Sequence, residues 1–94
     1  MPKYVIERNI PGAGRMTATE LRAAARQSNA ALRTLGPDIR WEHSMVSGDK
    51  IFCLYTSPDE TLIRAHARLS GFPADVITPL AAHIDPSTAD ESAD

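Results

Sequence analysis

The sequence predicts a small α+β domain. Three observations lead there. Strand-like and helix-like patterns follow one another as strand, helix, strand, strand, helix, strand. Both helical stretches open on capping residues and stop at a glycine. The two central strands are separated only by a Ser-Gly-Asp turn, which makes them a hairpin.

KYVIER (3–8) is rich in apolar and β-branched residues and ends at NIPGAG, where Pro11, Gly12 and Gly14 mark a loop. This is the first strand. In TATELRAAARQSNAALRTLGP, Thr17 and Glu20 have the spacing of a capping box. Leu21, Ala24, Ala25, Ser28, Ala31, Leu32 and Leu35 recur every three to four residues, so they share one helical face. Gly36-Pro37 is a stop, and the spacing predicts a helix over about 18–35. The alanine-rich face lets this helix approach its support closely.

IRWEHSMV (39–46) and KIFCLYT (50–56) both alternate around the turn. After them, Ser57 reads as an N-cap, Pro58 as the first helical residue and Glu60 as the third member of a second capping box. Leu62, Ile63, His66 and Leu69 share a face, and Gly71 ends this helix, predicted over about 58–70. VITPLAAHID (76–85) is the last strand region. Pro79 cannot donate to a ladder, so it splits the run or lies on an edge; a short piece is expected before it and the main strand at about 80–85. The order is the split βαβ, ferredoxin-like pattern, with strand order 4-1-3-2 and both helices on one face of an antiparallel sheet. The other face has no cover within the chain, which predicts a homodimer formed through the sheet. Residues 1–85 form the single domain, and 86–94 read as an acidic disordered tail.

Composition narrows the function. A chain of 94 residues makes one domain with a modest core. One cysteine excludes an internal disulfide, and a lone Cys with no signal-peptide pattern fits a cytoplasmic protein. No apolar run approaches the roughly 18 residues of a membrane span. The tail holds three of the twelve acidic residues and none of the ten basic ones. The rest is close to neutral, and no Lys/Arg cluster is interleaved with aromatics, which argues against a nucleic-acid partner. Gly12 and Gly14 lack the spacing of a phosphate loop.

The hairpin concentrates the chemistry: Trp41, His43, Cys53 and Tyr55. A three-residue loop pairs His43 with Cys53, Trp41 with Tyr55 and Met45 with Ile51. A two- or four-residue loop pairs Ser44 with Cys53 and Glu42 with Tyr55, and one step of register moves His43 to the other face from Cys53. The first arrangement is favoured because it groups the aromatic and soft side chains. Opposed His43 and Cys53 would make a soft half-site for nickel, zinc or copper. The plainer alternative is an interior histidine and a small buried thiol. His66, among Leu62, Ile63 and Leu69, is a core residue or faces a cavity, where burial keeps it neutral and able to act as ligand or base. His83, beside Asp85, and Glu7, interrupting an apolar run, are further candidate donors. A mid-strand Cys53 is poorly placed as a nucleophile.

The strings W-x-H-S (41–44), KIFCLY (50–55), PDE (58–60) and HARLSGFP (66–73), with YVIER and IPGAG before them and IDPST after, resemble a family of small bacterial domains of unknown function. That family includes a nickel-binding, nickel-responsive protein. The resemblance covers nearly all of residues 2–88. It implies a ferredoxin-like α+β fold, a homodimer and binding of a divalent transition metal, nickel first, for sequestration or sensing. It implies no enzyme activity. His43, Cys53 and His66 stand inside the matching strings and carry over as candidate metal ligands; His83 and Glu7 are added from their chemistry and place. Two alternatives stay open. One is a small-molecule enzyme of oxygenase, cyclase or isomerase type, with His43, His66 and Tyr55 around a pocket between sheet and helices. The other is a partner-binding module using the open sheet face.

Overall fold

β1 (Lys3–Asn9) lies inside a four-stranded sheet and sorts its side chains by the two-residue period of a strand. Tyr4, Ile6 and Arg8 are buried on one side; Lys3, Val5, Glu7 and Asn9 point to the other. A computed structural model describes residues 1–90. The remaining strands are β2 (Arg40–Ser47), β3 (Lys50–Thr56) and β4 (Val76–Pro79), in the order β2-β3-β1-β4, with every neighbouring pair antiparallel.

Helices α1 (Ala18–Leu35) and α2 (Glu60–Ser70) pack on each other and cover the face that carries Tyr4, Ile6, Cys53 and Tyr55. With Ile39 and Ile63 these residues form the core, flanked by Leu32, Leu35, Trp41 and Leu62. Complete burial of a side chain such as Ile6 or Ile63 contributes about 1.5–3 kcal/mol each. Among the described residues, no α-helix covers the other face of the sheet. No helix among the described residues is long and apolar enough to cross a membrane.

α1 begins where its capping box predicts: Thr17 Oγ1 accepts from Glu20 N, and Glu20 Oε1 accepts from Thr17 N. α2 starts later than its sequence suggests. Asp59 is the N-cap and accepts from Leu62 N at 3.2 Å. Ser57 is fully buried, its N–H bonded to Pro2 O and its hydroxyl to Asp59 O. Glu60 turns instead to Arg64 one helical turn on. The Ser57 hydroxyl is occupied by Asp59 O and so does not cap the helix.

The last strand also differs. β4 ends at Pro79, and residues 80–85 are not a strand. Leu80 N donates to Lys3 O at 2.8 Å, so Pro79 sits between bonded positions with its nitrogen facing away from β1. On an edge strand the missing N–H is then harmless, and the proline does not divide the strand as expected. Pro86–Asp90 forms a 3₁₀ turn where a disordered tail is expected, with Asp85 accepting from Ser87 N. The rest of that tail, 91–94, lies outside the described residues.

The hairpin resolves its two registers by using both. Ser47 faces Lys50 across a tight Gly48-Asp49 turn, so Ser44 stands opposite Cys53. A bulge at Glu42 then inserts one extra residue, and Trp41 stands opposite Tyr55. Trp41 and Ser44 therefore share the covered face, where Trp41 Nε1 donates to Ser44 Oγ at 2.8 Å. His43 stands opposite Leu54 on the open face. The turn is held by the NIPGAG loop: Ile10 N donates to Asp49 O and Gly14 N to Gly48 O, at 2.9 and 2.7 Å. A Cβ on Gly14 would lie 2.9 Å from Gly48 O, so only glycine allows this approach.

Candidate functional site

The sheet divides the sequence-predicted donors. Cys53 and His66 are on the helix-covered side, both buried. His43 and Glu7 are on the open side, with Glu7 3.5 Å from Lys50 Nζ. His83 lies beyond β4 in an exposed irregular stretch rather than on a strand. The opposed His43–Cys53 half-site does not form, because the tight turn puts Ser44 in that place. Among the described residues, no three His, Cys, Asp or Glu side chains come together in a way that could hold a metal ion. The described residues of a single copy therefore do not assemble a multi-donor metal site.

The covered side instead carries a polar cluster beside a cavity. His66, with no exposed surface, projects from α2 toward α1, where its Nε2 lies 3.0 Å from Ser28 Oγ. Its Nδ1 has no hydrogen-bond partner among the described residues. The Tyr55 ring is 5.2 Å from the imidazole, and its hydroxyl is 3.4 Å from the same Ser28 Oγ. Burial, reinforced by the nearby positive charge of Arg8, lowers the His66 pKa to about 4, so the ring is neutral at pH 7. Burial also raises the Tyr55 phenol above its ordinary value, against opposing pulls from Ser28 and Arg8.

A cavity of about 350 Å³ opens between α1, the NIPGAG loop and the covered face of β2 and β3. Its walls are mainly apolar, with Ser28, Ser44, Tyr55 and Arg8 as polar members. Neither His43 nor His66 lines it. Arg8 is the residue that sequence reading missed. Glu7 stands out in the sequence as an acid within an apolar run, yet Tyr4 and Ile6 already point the two-residue period of the strand inward at Arg8.

On the open face the bulge turns Glu42 and His43 to the same side. Glu42 Oε2 accepts from Thr56 Oγ1 at 2.5 Å and from Lys3 Nζ at 3.2 Å. The Thr56 bond, then Lys3, holds this carboxyl below the ordinary glutamate value.

These features define a small α+β protein with four antiparallel strands, two helices and a cavity beneath them. Residues 4–80 match the family described as "Nickel responsive protein SCO4226-like". The chain belongs to that family. Its fold is similar to the crystal structure of SCO4226 from Streptomyces coelicolor A3(2), with a TM-score of 0.70 over 87% of this chain and 99% of that one. Identity is 20%, so the likeness is one of fold. The chain matches no curated protein sequence.

Proposed function

We propose that this chain binds a divalent transition metal ion, nickel first, for sequestration or sensing, as a cytoplasmic ferredoxin-like homodimer. The observation that carries the reading is membership of a family described as nickel responsive. The sheet geometry supports where such an ion would sit. His43 and Glu7 share the open face, and imidazole and carboxylate oxygen both suit these ions. That face also carries Val5, Phe52 and Leu54, each only partly buried, and Met45, which is 57% exposed. A second copy packed there would cover the apolar surface, and a twofold axis would supply each donor twice. In this reading Cys53 and His66 stay outside the site: one accepts an N–H from Arg8 and the other is enclosed by Ser28 and Tyr55.

The test is calorimetric titration of the untagged protein with nickel, zinc and copper, with light scattering to read the mass. His43→Ala should weaken nickel binding tenfold or more, and Cys53→Ser should leave it unchanged. Nickel binding weaker than about 0.1 mM, roughly −5.5 kcal/mol, ends the metal reading. A monomeric mass for the nickel-loaded protein ends its dimeric part.

One observation favours a small-molecule enzyme as a second reading: a cavity between sheet and helices does exist, with Tyr55 on its wall. The proposed acid–base trio does not assemble around it, however. His43 is on the opposite face, and His66 does not line the cavity.

A further inference from the structure

Arg8 is a buried cation with no anion beside it among the described residues. It is 3% exposed. Its Nη1 donates to Pro73 O at 2.8 Å and its Nε to Cys53 Sγ at 3.4 Å, a neutral carbonyl and a sulfur. The Tyr55 ring centre is 5.9 Å from Cζ, within reach of a weak cation–π attraction. Nη2 finds no acceptor among the described residues, and no salt bridge found among them includes Arg8. A guanidinium does not shed its proton in a protein. Leaving such a charge buried and unpaired opposes folding, and an apolar side chain of similar size would serve the core better. The arrangement becomes favourable when an anion enters the cavity that Arg8 lines.

The walls state what kind of anion. Among the described residues, Arg8 is the only basic side chain lining the cavity. Arginine pairs with carboxylates and phosphates alike, but a single positive charge is matched by the single negative charge of a carboxylate rather than by the nearly double charge of a phosphate monoester. Ser44 accepts from Trp41 Nε1 and keeps its own proton free to donate to a second carboxylate oxygen. Met16, Leu21, Ala24, Ala25 and Phe72 surround the remaining space with hydrocarbon. The two alanines of α1 are what leave that space open. At about 350 Å³ the volume is at the lower end for ligand pockets.

We propose that this cavity binds a small apolar carboxylic acid, its carboxylate paired with the Arg8 guanidinium and its hydrocarbon body between α1 and the sheet. The site is on the opposite side of the sheet from His43 and stands independently of the metal reading.

The experiment titrates the full chain with sodium octanoate, using 1-octanol, octylamine and octyl phosphate as comparisons. Trp41, the single tryptophan, lines the cavity and supplies a fluorescence signal; amide chemical shifts locate the site. Octanoate should saturate at one per chain and bind at least tenfold tighter than octanol, with octylamine weaker still. Arg8→Met should erase the preference for the acid over the alcohol. Ala25→Phe, which fills the cavity and keeps Arg8, should abolish octanoate binding. Octanol binding as tightly as octanoate overturns the proposal, as does absence of saturable octanoate binding to the folded protein. Tighter binding of octyl phosphate overturns the carboxylate assignment. If Arg8→Met does not fold, Ala25→Phe decides: octanoate binding that survives it places the acid elsewhere and overturns the site.

Discussion

Ser28 Oγ lies 3.0 Å from His66 Nε2, joining the middle of α1 to the buried face of α2. The imidazole has no other hydrogen-bond partner among the described residues. Ser28→Ala should therefore leave both ring nitrogens unpaired and reduce stability by about 1–3 kcal/mol. Urea unfolding followed by far-UV circular dichroism reads this directly. A change within experimental error would mean that the contact between the helices is apolar in its energetics.

His66 also predicts an acid limb of stability. Its folded pKa is about 4 against an ordinary 6.5. Between those values the unfolded chain binds a proton that the folded chain refuses. The contribution is complete above pH 6.5 and is lost as pH falls toward 4, by on the order of 3 kcal/mol in total. From pH 7 through 6 and 5 to 4.5, the parent should lose stability relative to His66→Leu. Parallel curves would show that His66 titrates normally in the fold.

Gly14 should tolerate no side chain. The group facing it is backbone, with Gly48 O 2.9 Å from where a Cβ would stand, so the loop or the hairpin turn must move. Gly14→Ala should destabilise by about 1–3 kcal/mol. Gly48→Ala meets no atom within 4 Å and carries only the strain of φ +60; about 1 kcal/mol is expected. Thermal denaturation of the two variants side by side checks the order.

Thr56 governs the charge on Glu42. The Thr56 hydroxyl donates to Glu42 Oε2, and this bond is the first cause of the lowered carboxyl pKa. Carboxyl-detected NMR titration should place Glu42 below an ordinary glutamate, and Thr56→Val and Lys3→Met should each move it up. An unchanged Glu42 in Thr56→Val would remove the hydroxyl as the cause.

Much of this was legible in the residues. The capping box of Thr17 and Glu20, the stops at Gly36 and Gly71 and the alternation of KIFCLY are all local, so the order of elements and the whole span of α1 could be read. The start of α2 could not: Ser57 and Asp59 are both good caps, and in the fold the Ser57 hydroxyl bonds Asp59 O while Asp59 caps the helix. The extent of β4 could not either, since the effect of Pro79 depends on which side of the strand faces β1.

Patterns that repeat within a few residues were enough for the alternation of strands and helices, for Cys53 and Tyr55 sharing one face of β3, and for the family. Which polar groups meet was left to the folded chain. A single bulge at Glu42 sends Trp41 and Ser44 to the covered face and His43 to the open one. Pairing with β3 and the cover of the helices leave Arg8 beside a cavity, without an anion among the described residues. In a sheet, one residue of register exchanges the two faces, and register is set by contacts between distant parts of the chain.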